Sequence, residues 1–186
     1  GLIGESGAGK STLISVLQRR YAKDTAFVPQ DLGLVGNLSV FHNIYMGSLQ
    51  RHSIAHNLLN LVWPRPADIA SVQPIAEQLG LGDKLFSKVG ELSGGQQQRT
   101  AICRAIHQGS PALLGDEPVS ANDQHQSRVI MDAITACFGT VVLAMHDVAL
   151  ALEYSTRIIG IKDQNIAIDV AADQVTCADL NFLYLK

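Results

Sequence analysis

A motif near the start of the chain narrows its possible folds more than any other feature. Residues 4–12 read GESGAGKST, which fits the pattern GxxxxGK[ST], and they run directly into the helix-like sequence LISVL. The glycines allow the backbone to curl so that successive N–H groups point at phosphate oxygens. The helix that follows adds unpaired N–H groups and the positive end of its dipole. The motif therefore predicts a phosphate-binding loop that leads into a helix.

Individual residues of this loop have predicted roles. The Lys10 ammonium group is expected to reach the β- and γ-phosphates of a nucleotide, and the Ser11 hydroxyl is expected to ligate Mg²⁺. A glycine-rich turn before a helix is the structural alternative, but a chance match in a chain of this length occurs on the order of 1 time in 100. The candidate phosphate-contacting residues are Gly4, Glu5, Ser6, Gly7, Ala8, Gly9, Lys10, Ser11 and Thr12.

A second helix N-terminus that can bind an anion is predicted at residues 92–96, which read LSGGQ and precede an apolar-periodic run. Taken alone, a serine in such a position is more often a helix N-cap than a ligand contact. The complete string, followed by QQR and sharing a chain with the phosphate loop, resembles the signature of ATP-binding cassette (ABC) ATPases. The resemblance implies that a nucleotide is contacted by Ser93, Gly94, Gly95 and Gln96.

The same resemblance assigns roles to polar residues that follow apolar runs. The sequence ALLGDEP is similar to the Walker B strand, which implies that Asp116 holds Mg²⁺ through water and that Glu117 orients or deprotonates the attacking water. His146 matches the family's switch histidine and Gln30 matches the Q-loop glutamine. Asp123 matches the D-loop aspartate, which implies that it contributes to nucleotide binding. The implied catalytic residues are Glu117, His146 and Gln30, and the implied Mg²⁺ site consists of Ser11, Asp116 and Gln30.

Two positions depart from the family pattern. Gly115 stands where the family usually has a larger apolar residue, and a glycine inside a strand weakens packing, so we expect a less firmly packed strand there. Asn122 replaces the usual leucine of the D-loop and removes the apolar contact expected at that point.

The resemblance and the alternating strand and helix signals predict an α/β fold. It is expected to be a P-loop NTPase of the ABC type, with a mostly parallel core sheet flanked by helices and an inserted α-helical subdomain. Residues 1–186 are expected to form one domain, with residues 1–30 and 96–186 in the core and about 31–95 in the helical subdomain. Further expectations are a helix over residues 124–137, a hairpin of residues 157–161 and 166–168, and a terminal helix over residues 177–186.

Composition excludes several functional classes. A net charge of −3 and a pI near 6.0, without a run of Lys and Arg, argue against nucleic-acid binding. No stretch approaches the roughly 18 to 20 apolar residues that span a bilayer. The apolar segment 58–64 is short and ends in a proline, so it is expected to form part of the helical subdomain's core and not a membrane anchor. The cysteines Cys103, Cys137 and Cys177 are expected to fill core space, and the histidines other than His146 are expected to face solvent.

Several phrases are similar to importer ATPases for phosphonates, including QQQR and the sequence ALEY followed by RIIG. This resemblance implies ATP and Mg²⁺ as cofactors and a peripheral location on the cytoplasmic face of the inner membrane. It also implies a membrane-spanning permease as partner, received by residues 31–91, and a second ATPase subunit arranged head-to-tail. A substrate-binding protein would be an indirect partner.

Three alternatives remain open from the sequence. The chain could serve another cargo, such as an amino acid or a lipoprotein. It could be a non-transport ABC protein of DNA repair or translation, although those usually carry coiled-coil inserts or tandem cassettes. It could also be a catalytically silent fragment, because only Gly1, Leu2 and Ile3 precede the loop. We accordingly expect an N-terminally truncated member in which no residue is assignable to stacking on adenine.

Overall fold

The computed structural model describes residues 1–119 and 124–185, and these residues form a six-stranded sheet in the order β2-β3-β4-β1-β5-β6. Neighbouring strands are parallel, except that β5 and β6 form an antiparallel hairpin. The mostly parallel sheet and the predicted hairpin are therefore confirmed. The strands are β1 (Leu2–Ile3), β2 (Thr25–Val28), β3 (Ala112–Asp116), β4 (Thr140–Ala144), β5 (Arg157–Lys162) and β6 (Asn165–Ala171).

Helices surround the sheet and fill the segment between β2 and β3. The α-helices in the described part of the chain are α1 (Lys10–Tyr21), α2 (Val40–Tyr45), α3 (Ile54–Val62), α4 (Pro66–Gln78), α5 (Gly94–Gln108), α6 (Gln124–Cys137) and α7 (Val148–Tyr154). Short 3-10 helices span Met46–Arg51, Gly82–Lys84, Val89–Glu91, Ala172–Gln174 and Asn181–Tyr184. None of the helices in the described ranges is long and apolar enough to cross a membrane.

The central strands are buried because their sequences are short apolar runs. Leu113 and Leu114 of β3 are almost inaccessible, and β3 pairs along its length with β4. Gly115 does not loosen this strand as we expected. A Cβ atom there would lie 2.7 Å from Leu143 Cδ2 and 3.0 Å from Pro118 Cγ, so these side chains already occupy the space. The glycine permits close packing instead of weakening it.

Helix α3 presents polar side chains to the rest of the molecule and apolar side chains to solvent. Asn60 is fully buried and accepts a hydrogen bond from the Arg65 N–H at 2.8 Å, and the Tyr45 hydroxyl donates to Asn57 Oδ1 at 2.9 Å. The expectation that residues 58–63 form core is wrong for this reason. The exposed apolar residues, which we call the α3 apolar face, are Ile54, Leu58, Leu59, Leu61, Val62 and Trp63.

The tail is also different from the prediction. The structure has a short 3-10 helix over Asn181–Tyr184 in place of a terminal α-helix. Asp179 Oδ2 accepts hydrogen bonds from the Thr176 N–H at 2.9 Å and from its hydroxyl at 2.7 Å, which forms a local turn that competes with helix. Leu180 and Leu183 remain fully buried, so the tail still packs on the core.

The cysteines and histidines divide between core and surface. Cys103 is buried, and burial raises the pKa of its thiol to about 12, but Cys137 and Cys177 are exposed and do not fill core space. His107 is also buried, contrary to the expectation that it faces solvent. Its Nε2 lies 3.1 Å from Ser48 Oγ, and burial lowers its pKa.

Candidate functional site

The phosphate loop connects β1 to α1 and depends on backbone shapes that favour glycine. Gly4 has φ 146°, and a Cβ atom there would lie 2.1 Å from the Ile161 carbonyl oxygen. Gly9 has φ 111° and precedes α1, and no side chain of the described residues caps this helix. The helix N-terminus is therefore open toward the loop, where an anion is favoured by the helix dipole and the free N–H groups.

Lys10 lies across the loop and is almost completely buried. Its Nζ donates hydrogen bonds to the Gly4 carbonyl at 2.8 Å and the Glu5 carbonyl at 2.9 Å. Burial lowers the pKa of the Lys10 ammonium, and the nearby carboxylates of Glu117 and Asp116 act in the opposite direction. The predicted lysine and the predicted acids thus lie within electrostatic reach of one another.

Asp116 ends β3 and is buried at this site. Its Oδ1 has no hydrogen-bond partner among the residues that the structure describes, although Asp116 is only 7% exposed. A buried carboxylate oxygen without a partner destabilises the fold, because no hydrogen bond offsets the free energy of its desolvation. The chemistry of this atom fits a hard cation or one of its water ligands.

Glu117 and His146 form the closest polar pair of the site. Glu117 has φ 57°, a left-handed conformation that is uncommon for residues with a side chain, and its N–H donates to the Ala144 carbonyl at 3.1 Å. Its Oε1 lies 2.5 Å from His146 Nε2. Strained backbone of this kind concentrates at functional sites, where surrounding structure holds it in place.

A cavity of about 240 Å³ opens beside this pair, and it includes a residue that the sequence reasoning did not select. Gln98 from α5 lines the cavity together with Glu117, His146 and Leu150. Gln98 belongs to the QQQR phrase that follows the signature, and its position in that phrase was the one signal available. The helix that begins at the signature thus reaches the cavity beside Glu117.

Gln30 lies at the same edge of the sheet as the acids. It is exposed in the turn that follows β2, and Val28 of β2 pairs in parallel with Gly115, the residue before Asp116. Parallel neighbours end at a common edge, which is where ligands bind in open α/β sheets. The D-loop residues 120–123, including the predicted Asp123, lie outside the described residues.

The signature forms the N-terminus of α5, where Ser93, Gly94 and Gly95 are exposed, whereas the preceding Leu92 is buried. Ser93 Oγ accepts from the Gln96 N–H at 3.4 Å, and Gln96 Oε1 accepts from the Ser93 N–H at 3.0 Å, which is a capping box. A Cβ atom at Gly94 would meet no atom within 4 Å, and one at Gly95 would meet only Arg99 Nη1 at 3.8 Å. The serine therefore serves as an N-cap, and the folded chain itself has room for side chains at both glycines.

Comparison with known proteins agrees with this geometry. A sequence profile described as ABC transporter matches residues 1–120. The chain is 34% identical to phosphonates import ATP-binding protein PhnC 1 of Pseudomonas savastanoi pv. phaseolicola, over 98% of the chain and 79% of that protein. It is also 34% identical to phosphonates import ATP-binding protein PhnC of Rhodopseudomonas palustris, over 99% of the chain and 78% of the relative.

Solved structures show the same fold. An inward-facing putative metal-chelate type ABC transporter aligns with a TM-score of 0.78 at 23% identity, covering 98% of this chain and 76% of that one. A dimeric bacterial ABC transporter cassette aligns with a TM-score of 0.77 at 23% identity, and the alignment covers 92% of this chain and 84% of that one.

Proposed function

Because the chain belongs to the ABC transporter family, we propose that it is the ATP-binding and ATP-hydrolysing subunit of an ABC importer. The observation that carries this proposal is the meeting of the phosphate loop, two acids and a histidine at one edge of the sheet. The carboxylates of Glu117 and Asp116 oppose the lowering of the Lys10 pKa by burial, and Glu117 pairs with His146. This combination fits the cleavage of a nucleotide phosphate by water.

Different residues would bind the phosphates and the Mg²⁺ ion of Mg²⁺-ATP. We propose that residues 4–12 hold the phosphates, with Lys10 Nζ exchanging its carbonyl partners for phosphate oxygens. Ser11, Asp116 and Gln30 would hold Mg²⁺. The assignment is supported by Asp116 Oδ1, which has no hydrogen-bond partner within residues 1–119 and 124–185. When bound, the ion would neutralise negative charge that develops on the phosphate oxygens.

Glu117 and His146 would act on the attacking water. A carboxylate that orients a water and accepts its proton needs a fixed position, and the 2.5 Å contact with His146 Nε2 supplies one. The left-handed backbone of Glu117 and its hydrogen bond to Ala144 hold the residue from the other side. Gln30, at the same edge, would sense the occupied site.

The signature is proposed to act on the nucleotide of a second subunit. The N-terminus of α5 is exposed at Ser93, and the space beside Gly94 and Gly95 is open, so an outside phosphate can approach the backbone closely. We therefore propose a head-to-tail pair in which each site combines one subunit's phosphate loop with the partner's signature. Asp123 is proposed as a further residue that binds the nucleotide.

The proposed cargo is a phosphonate or a related oxyanion. Support comes from relatives named as phosphonate import proteins, which match nearly the whole chain at 32 to 34% identity. A separate permease would span the membrane, with this subunit peripheral on its cytoplasmic face and a substrate-binding protein acting on the permease. Another cargo, such as an amino acid, is the alternative.

Mg²⁺-dependent ATP hydrolysis by the purified chain tests the proposed enzyme. We expect Asp116→Asn to require about 10- to 100-fold more Mg²⁺ for half-maximal activity, the size of effect seen when a group that supports a metal is lost. Asp24→Asn is the matched control, because Asp24 is an exposed acid after α1. Phosphate release at varied Mg²⁺ measures both variants, and an unchanged Mg²⁺ requirement in Asp116→Asn would refute the assignment.

We propose that the permease docks on the α3 apolar face, and that residues 31–95 form the helical subdomain that receives it. Ile54, Leu58 and Val62 follow one stripe of the helix and are 79%, 61% and 81% exposed. A contiguous exposed apolar patch of this kind marks a site of association. The inward hydrogen bonds of Asn57 and Asn60 keep the stripe facing outward.

Charge on this face should release the permease and spare basal hydrolysis. We expect Leu58→Glu and Val62→Glu each to reduce co-purification of the membrane-spanning subunit at least about tenfold, because burying a Leu or Val contributes roughly 1.5–3 kcal/mol. Val16→Glu is the matched control, since Val16 is a half-exposed residue of α1. Equal recovery of the permease with Val62→Glu and Val16→Glu would show that it docks elsewhere.

A further inference from the structure

We propose that His52, His56 and Asp68 form a binding site for a divalent transition-metal ion, with Zn²⁺ as the best match. One potential ligand atom of each residue lies within 4.8 Å of the other two. Imidazole nitrogen together with carboxylate oxygen suits zinc, whereas Mg²⁺ and Ca²⁺ favour oxygen ligands alone. The site is separate from the residues proposed to hold Mg²⁺-ATP, and the inference does not depend on the proposed transport function.

Three structural elements bring the ligands together. His52 follows the 3-10 helix Met46–Arg51, His56 lies in the first turn of α3, and Asp68 lies in the first turn of α4. The two imidazole rings stack with centroids 4.4 Å apart and planes 10° apart. The His52 ring also stacks on Tyr45, with centroids 5.9 Å apart. Because an ion lies in the plane of each imidazole that binds it, the two parallel histidine rings would have to tilt toward each other to share one ion.

The contact between His56 and Asp68 is a hydrogen bond, which a bound ion would replace and widen slightly. His56 Nε2 lies 2.9 Å from Asp68 Oδ2, and two ligands about 2 Å from a tetrahedral zinc stand roughly 3.3 Å apart. Asp68 is only 7% exposed, so its carboxylate is a buried charge that benefits from a cation. Three protein ligands with a fourth position for water is an established zinc arrangement.

Arg65 competes with the ion in the present arrangement. Its Nη1 donates to His56 Nδ1 at 3.0 Å, so Nδ1 acts as acceptor and the Nε2 proton points to Asp68. Zinc binding at Nε2 requires the other neutral tautomer, so the single ring proton would move through solvent from Nε2 to Nδ1 with no net release. Nδ1 could no longer accept from Arg65, and the exposed arginine would move away.

The site would fix the orientation of α3. His56 belongs to α3, whereas the other two ligands belong to the segments on either side of it. An ion bound by all three would hold the helix against its neighbours and keep the α3 apolar face in one orientation. The bound metal would thereby make α3 more rigid, whatever binds its apolar face.

Zinc binding to the full chain tests the site. Cys137 and Cys177 are exposed thiols, so both are first changed to serine to remove competing ligands. Competition with a chromophoric chelator should then give one Zn²⁺ per chain, and Co²⁺ should give the absorption of a nitrogen and oxygen site. We expect His52→Ala and His56→Ala to weaken Zn²⁺ binding by at least about tenfold. His125→Ala is the matched control, because His125 is exposed on α6.

Arg65→Gln gives the most specific result. Shortening the side chain and removing its positive charge should weaken competition for His56 Nδ1 and strengthen Zn²⁺ binding several-fold, whereas His125→Ala should leave the binding unchanged. ATP binding by each variant reports whether the variant is folded. If His56→Ala does not fold, the Zn²⁺ affinities of His52→Ala and Arg65→Gln test the site. The proposal is overturned if the chain binds no Zn²⁺, if His52→Ala binds it as tightly as the parent, or if Arg65→Gln weakens binding.

Discussion

Glu117→Gln is expected to lose steady-state ATP hydrolysis by about 10²- to 10⁴-fold, which is the usual contribution of a positioned general base. The amide has the size of the carboxylate and can still lie beside His146 Nε2, but it cannot accept a proton from water. Binding of ATP should persist, because the phosphate loop is unchanged. The variant should therefore dimerise in ATP and stay dimeric, as measured by phosphate release and by light scattering after size-exclusion chromatography.

A second glutamate provides the control for this result. Glu153 forms an exposed ion pair with Arg128, with Arg128 Nε 3.0 Å from Glu153 Oε1, and it lies outside the proposed site. Glu153→Gln should hydrolyse ATP within about twofold of the parent chain, because surface substitutions change stability little. Full turnover by Glu117→Gln would remove Glu117 from the chemistry, and loss of ATP-dependent dimerisation would assign it a structural role.

Gly95→Asp should separate nucleotide binding from turnover. The added carboxylate lies in the first turn of α5, where a negative charge favours the helix, and the folded chain has room for it. In a head-to-tail pair, however, it would face the partner's nucleotide phosphates and repel them. We expect turnover to fall by about 10²- to 10³-fold, the loss typical of a removed electrostatic contact, with ATP affinity of the monomer unchanged.

Two comparisons locate this effect at the contact between subunits. Gly95→Ala adds a Cβ without charge and should retain more activity than Gly95→Asp. Mixing Gly95→Asp with Lys10→Ala should then restore part of the activity, because a mixed pair contains one site with neither defect. If the mixture stays inactive and Gly95→Asp also binds ATP poorly as a monomer, the signature acts within its own chain.

The sequence predicted those parts of the fold in which local pattern and chemistry agree. β3 and β4 are uninterrupted apolar runs, and the polar residues that follow them meet because parallel strands end at one edge. The phosphate loop was predictable because its backbone shape at Gly4 allows few residue types. Glu117 was selected by resemblance, but its left-handed backbone could not be read from residue type.

The errors in prediction arose where tertiary packing overrides local pattern. Residues 58–63 have the composition of a core helix, but the buried side of α3 is set by the hydrogen bonds of Asn57 and Asn60. Gly115 was wrongly expected to weaken its strand. The side chain that fills the space beside it, Leu143, belongs to the neighbouring strand, and the local sequence does not show that contact. Gln98 was overlooked because the resemblance gave it no role before its cavity was visible.

Polar side chains hold α3 against the rest of the chain, and this affects how the free energy of detaching the helix depends on conditions. Detaching α3 would expose the amides of Asn57 and Asn60, the imidazole of His56 and the carboxylate of Asp68. The apolar side chains of α3 already contact water. Such a local opening carries little change in heat capacity and a weak dependence on denaturant, since both scale with newly exposed surface. In native-state hydrogen exchange, the amides of α3 would therefore exchange through a separate local opening. The free energy of this opening would be lower than that of the sheet and nearly independent of denaturant concentration.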